Sequence, residues 1–134
     1  KSVRFLSLFL FVSLSKPLCN VSFSKFRVIQ KSTDISSRLQ KVAWHYLSEK
    51  YVNDQLGRAS YSIVLNIAEG SAKISKADRK NYFTTARGSL FECVAILDLF
   101  LLEQIIQEDT YKEHLLLAEE ISRILYSKIK NLSV

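Results

Sequence analysis

The sequence predicts an all-α protein, an antiparallel up-down-up-down four-helix bundle. Gly and Pro are scarce, three and one in 134 residues, which leaves little material for the turns of an all-β fold. Apolar side chains recur at three-, four- and seven-residue spacings in four separate stretches, the period of helices that bury one face. The last three stretches are joined by loops of about four to eight residues, short enough to make neighbours antiparallel. A hydrophobic content of 48% over this length supplies one core and one domain.

The first helix is expected from about Phe26 to Ser48, with Val28, Ile35, Leu39, Val42 and Tyr46 on one stripe and Trp44 and His45 off it. The second is expected to begin near Asn53 or Asp54, either of which can cap it. Val52, Leu56, Ala59, Ile63 and Ile67 form its core stripe. Tyr61, Leu65 and Ala68 form a second apolar stripe on roughly the opposite side, and Arg58, Ser62, Asn66 and Glu69 make a polar ridge between the two. A helix apolar on both sides is buried on both sides, so the second stripe points to another subunit. Gly70 reads as a stop signal near the C′ position.

The third helix is expected after Ser75, with Asp78 completing a weak capping box. Tyr82, Phe83, Ala86, Leu90, Cys93, Val94, Leu97 and Leu101 form its core stripe, and Gly88 reads as a close approach of backbones, preferred over a tolerated surface defect. The fourth opens on the box Thr110-x-x-Glu113, with Tyr111, Leu115, Ala118, Ser122, Leu125, Ile129 and Leu132 on one face. Lys128 and Lys130 sit in its last turns, where cations suit the helix dipole.

The net charge of +6 lies wholly in residues 1–33, which hold six Lys or Arg and no acid. The rest is neutral on balance but sorted. Residues 50–88 carry seven bases against three acids, and residues 89–120 carry eight acids against Lys112. Two readings stand: attraction between subunits, or two solvated faces of opposite sign. Cys19 and Cys93 make no disulfide framework. Cys93, on an apolar face, reads as a buried small hydrophobe, which fits a reducing, cytoplasmic setting.

Residues 1–22 are an extension outside the bundle, which occupies 23–134. Basic residues precede an apolar run from Phe5 to Leu14, as in a signal peptide, but no A-x-A cleavage signal follows. A disordered or mis-assigned extension, an export signal and a packed arm are the three readings. The chain contains no Met, so its natural start is open.

Two runs are distinctive. Gln55-Leu56-x-Arg58-Ala59-Ser60-x-Ser62-Ile63-x-x-Asn66-Ile67-Ala68-Glu69-Gly70 is followed by Arg79-Lys80-Asn81-Tyr82-Phe83-x-x-Ala86-Arg87-Gly88-Ser89-x-x-Glu92. From about Phe23 onward the chain resembles the bacterial four-helix-bundle proteins encoded in intervening sequences of 23S rRNA genes. The resemblance implies a left-handed antiparallel bundle, often a ring-shaped homopentamer, with no established enzymatic activity. It also implies kinship with accessory proteins of diversity-generating retroelements, which bind a reverse transcriptase and nucleic acid. Gly57 stands where many relatives carry a basic residue, and Ala72 where they often have a second Gly.

The nucleic-acid-binding candidates are Lys73, Lys76, Arg79, Lys80 and Arg87. Lys76, Lys80 and Arg87 fall within about 40° of one another around the third helix, a stripe able to neutralise phosphates with strong salt dependence. The bland reading of the same residues is a solvated basic edge, or one half of a charge-paired subunit contact. Arg58, Asn66 and Glu69 are expected to form a structural polar network rather than a catalytic group. His45 and His114 are isolated, so no metal site is expected. No nucleophile elbow or phosphate-cradling glycine loop is present. The expectation is therefore a non-enzymatic homo-oligomer without cofactor that binds RNA or other nucleic acid electrostatically. The alternative is an interaction scaffold that recruits a partner enzyme such as a reverse transcriptase. No membrane association of the bundle is expected.

Overall fold

A computed structural model describes residues 23–46 and 50–133. Four helices follow one another: α1 Phe23–Tyr46, α2 Lys50–Ala72, α3 Lys76–Leu102 and α4 Glu108–Asn131. Each packs on its sequence neighbours, and α1 closes the square on α4. Cross-helix pairs fix every direction. The Ser62 and Ser89 hydroxyls meet at 2.8 Å, while Gly70 lies against Tyr82 and Phe83, so α2 and α3 run antiparallel. Tyr111 donates to Asp98 at 2.6 Å and Arg87 to Ser122 at 3.2 Å, which sets α4 antiparallel to α3. Lys31 donates to Glu120 at 2.7 Å and Arg38 pairs with Glu113, which returns α4 to α1. The chain is thus an all-α up-down-up-down bundle.

The core draws on all four helices: Val28, Ile35 and Leu39; Leu56, Ile63 and Ile67; Phe83, Leu90 and Leu97; Ile121 and Leu125. Burying each such side chain stabilises the fold by about 1.5–3 kcal/mol. Cys93 lies within this core as expected, and burial pushes its thiol up to about 12. It is a packing group, not a nucleophile. Cys19 and the extension of residues 1–22 lie outside the described residues, as do the side chains of Trp44, His45 and Tyr46.

Several boundaries differ from the sequence-based expectation. Helix α1 begins three residues before Phe26, and residues 47–48 lie outside the described set. Asn53 and Asp54 do not cap α2. The helix is already formed at Lys50, so that Val52 packs on the core from within it. Gly70 is no stop either: α2 runs on to Ala72, and no described glycine adopts the positive φ that a C′ cap requires. Its role is the close approach. A Cβ built there would stand 2.8 Å from the Tyr82 Cβ and 3.0 Å from the Phe83 ring. The reverse holds at Gly88, where nothing lies within 4 Å of such a Cβ, so close packing within the protomer is not its reason.

Ser75 caps α3 as expected, its hydroxyl accepting from the Asp78 amide at 3.4 Å. Thr110 does not cap α4. The helix begins at Glu108 behind Gln107, which makes no side-chain cap bond. Glu108 and Asp109 occupy the first turn, where carboxylates suit the positive end of the helix dipole. The buried face of α4 is His114, Ala118, Ile121 and Leu125. Leu115 and Ser122 sit instead at its edge, because α4 must face α1 and α3 together and its core line lies between the two contacts.

Two open glycines make a direct test of this packing. Gly57 and Gly88 have no atom within 4 Å of a built Cβ and no positive φ. Gly57→Ala and Gly88→Ala are each expected to stabilise the helix by up to about 1 kcal/mol. Each should raise the melting temperature. A fall at either position would place a neighbouring copy against it.

Candidate functional site

The antiparallel directions turn a charge bias along the sequence into a charge bias along the bundle. The α2–α3 turn, the start of α1 and the end of α4 lie at one end. That end gathers Arg27, Lys31, Lys73, Lys76, Arg79, Lys80, Lys128 and Lys130. The α3–α4 turn closes the other end, with Glu103, Glu108, Asp109 and Glu113 in or near it. Arg27 and Lys31 are drawn into ion pairs with Glu120 at 3.6 and 2.7 Å. The Lys31 hydrogen bond holds the Glu120 carboxyl below its ordinary range.

Within the basic end the five candidates differ. Lys73, in the turn, donates to Glu69 at 2.8 Å and lies 5.1 Å over the Tyr82 ring. The hydrogen bond to Glu69 raises its pKa, so it stays charged at neutral pH. Arg79 folds back to bond the Lys73 carbonyl oxygen and is half-buried, a fastening of the turn. Lys76 and Lys80 are exposed on the first turns of α3. Arg87 stands two turns beyond Lys80, half-buried, donating to Ser122. Its guanidinium lies 4.9 Å from the Phe91 ring centre and 5.4 Å from that of Tyr126. Lys76, Lys80 and Arg87 are the set presented along one side of α3.

The residues of the polar ridge have separate partners within the protomer. Asn66 donates to the Ser62 carbonyl and hydroxyl at 2.8 and 3.0 Å, and through Ser62 reaches Ser89 of α3. Glu69 pairs with Lys73, while Arg58 bonds the Asp54 carbonyl and the Gln55 side chain. Tyr61, Leu65 and Ala68 stand exposed, Leu65 at 64% and Tyr61 at 56%. The protomer leaves that second stripe uncovered.

Sequence reasoning missed a seam between α3 and α4. Beside the Arg87 clamp a groove of about 380 Å³ opens, lined by Leu90, Phe91, Val94, Leu115, Glu119 and Arg123 among others. Phe91, which lines it, and Tyr126, which meets the Arg87 guanidinium, are each more than half exposed. The i to i+4 pair Arg87–Phe91 was the available signal; the partner across the seam, Tyr126, carries none in the sequence. Buried His114 was missed as well. Its Nδ1 lies 2.7 Å from the Thr110 carbonyl oxygen, an acceptor only, which assigns the ring proton to Nδ1. Among the described residues no cluster of His, Cys, Asp and Glu has the makings of a metal site. No described helix is long and apolar enough to cross a membrane.

The family model of the 23S rRNA-intervening sequence proteins matches residues 24–127. The chain is similar to a crystal structure of a protein of unknown function from the S23 ribosomal protein family of Bacteroides thetaiotaomicron VPI-5482. The two share 25% identity and a TM-score of 0.74, over 81% of this chain and 99% of the other. No curated protein matches this chain.

Proposed function

Because this chain belongs to the family of 23S rRNA-intervening sequence proteins, we propose that it is a non-enzymatic, homo-oligomeric helical scaffold of the cytoplasm. In this reading it binds RNA or other nucleic acid electrostatically through the basic end of its bundle. The carrying observation is the set Lys76, Lys80 and Arg87 along one side of α3, beside the turn that holds Lys73 and Arg79. Glu103, Glu108, Asp109 and Glu113 lie at the opposite end, so bases outnumber acids where a polyanion approaches the α2–α3 turn. Phosphate neutralisation by such a set releases counterions and makes affinity fall with salt. The second apolar stripe supplies self-association, here expected as a homopentamer, and a ring of identical basic ends multiplies weak contacts by avidity.

The test is RNA affinity at several salt concentrations for the wild type and for a Lys76→Ala, Lys80→Ala, Arg87→Ala triple variant. Three phosphate contacts on a single strand contribute a slope of about −2 in the logarithm of affinity against the logarithm of salt. The variant is expected to lose about that much slope and at least tenfold in affinity near 0.1 M salt. Equal, salt-insensitive binding by both proteins would overturn the reading.

The uncovered stripe Tyr61, Leu65 and Ala68 favours a second reading, a scaffold whose rim recruits a partner enzyme. A partner lost from pull-down by Leu65→Glu, with RNA affinity intact, would select it.

A further inference from the structure

We infer that the α3–α4 groove takes an unpaired base of a single-stranded nucleic acid, stacked at Phe91 and Tyr126, while the strand's phosphates lie on Arg87, Arg123 and Lys80. The inference rests on the electrostatic reading above and adds a base-contacting site to it.

Three features of the seam converge on this occupant. The groove, at about 380 Å³, falls within the roughly 300–1,000 Å³ range of small-ligand pockets. Its floor is apolar, from Leu90, Val94 and Ala118, Phe91 lines it with a side chain 52% exposed, and Tyr126, 55% exposed, lies beside it across the Arg87 guanidinium. Flat apolar walls beside cations are what an unstacked base uses, with stacking sequence-tolerant because every base has a π face. Arg87 is already held against both rings, so its charge is placed at the groove mouth with little rotamer freedom left to lose.

Charge decides between occupants. Arg123 lines the groove itself, and Lys80 lies on the same flank of α3 as Arg87, two turns and roughly 10 Å away. An apolar helix from a protein partner laid in this groove would strip water from Arg123 and Glu119 without pairing them. A nucleotide strand supplies partners for both. Its phosphates answer the guanidinium, and an N–H on the edge of the base, such as the ring N3–H of uracil, donates to the Glu119 carboxylate. A duplex fits less well, because its bases are stacked inward and present no free face.

Fluorescence anisotropy with the full chain tests the site. The probes are a 12-nucleotide uridine RNA and an abasic ribose-phosphate strand of the same length and charge, read at one salt concentration. The uridine strand is expected to bind at least about fivefold tighter, the low end for one stacked base. Phe91→Ala should abolish that preference while leaving the salt slope unchanged, and Phe91→Tyr should keep it. A thermal melt checks that each variant is folded. Irradiation of a 4-thiouridine strand should leave adducts on peptides that contain Phe91 or Tyr126. Equal affinity for the two strands, or a preference that survives Phe91→Ala, overturns the stacked base and leaves the electrostatic reading standing. Absence of salt-sensitive binding to either strand overturns both. Loss of assembly in Phe91→Ala by sedimentation would give the groove to a second copy of the chain and overturn the inference.

Discussion

Leu65→Glu is expected to separate the proposed homo-oligomer into folded protomers. Leu65 and Tyr61 are more than half exposed on a helix whose other side, Leu56, Ala59, Ile63 and Ile67, is buried. Covering Leu65 with a second copy contributes about 1.5–3 kcal/mol. A carboxylate in its place contributes none of this and adds the cost of desolvating a charge. With every 1.4 kcal/mol a factor of ten in affinity, the dissociation concentration should rise more than about a hundredfold. In the proposed ring each interface would carry the same substitution, so the loss would be repeated at every contact. The protomer itself should melt within a few degrees of the wild-type protomer, because Leu65 lies outside the buried core. Sedimentation across a concentration series reads both quantities. Two results would sink the proposal: a wild-type chain that sediments as a single protomer at micromolar concentration, or an assembly unchanged by Leu65→Glu.

The core was legible where one face of a helix is buried against a simple opposing surface. On α2 the buried stripe Leu56, Ala59, Ile63 and Ile67 is the one the 3.6-residue period marks out, and on α1 Val28, Ile35, Leu39 and Val42 follow the same rule. The period failed by about one residue on α4. There the strongest apolar line, through Tyr111, Leu115 and Ser122, is the edge that meets α3, and the central line runs through His114 and Ile121. A polar residue at the centre of a buried face defeats any count of apolar positions.

Local end signals were less reliable than periodicity, for a physical reason. Asn53, Asp54, Gly70 and Thr110 all have the chemistry of a helix end, yet each lies inside a helix. A cap contributes about 1 kcal/mol, less than the burial of one large side chain, so packing sets the boundary when the two disagree. Only Ser75, in a turn that packing leaves short, acts as the cap its sequence suggests. Of the candidate interface, the basic residues were legible from charge alone. Their grouping at one end required the antiparallel directions, and the clamp of Arg87 between Phe91 and Tyr126 required the register of α3 against α4.

Gly70→Leu is expected to destabilise the bundle severely, by about 3 kcal/mol, the upper part of the range for overpacking a filled site. For a domain of this size that is a fall in melting temperature of roughly 15 °C. The smaller Gly70→Ala isolates the cause. In an open helix this change would stabilise by about 1 kcal/mol, as argued for Gly57 and Gly88. At Gly70 the new Cβ would meet the Tyr82 Cβ at 2.8 Å and two atoms of the Phe83 ring at 3.0 and 3.1 Å. The Tyr82 Cβ is fixed to the α3 backbone and cannot swing aside. Phe83 is itself buried in the core, so its ring has nowhere to retreat. The helices must therefore separate at the α2–α3 turn, which also carries Lys73 and Arg79. Gly70→Ala should lower the melting temperature while Gly57→Ala and Gly88→Ala raise it, and RNA affinity should fall with it as the basic residues on either side of the turn move apart. A Gly70→Ala protein as stable as the wild type would show that α2 and α3 do not meet at this distance.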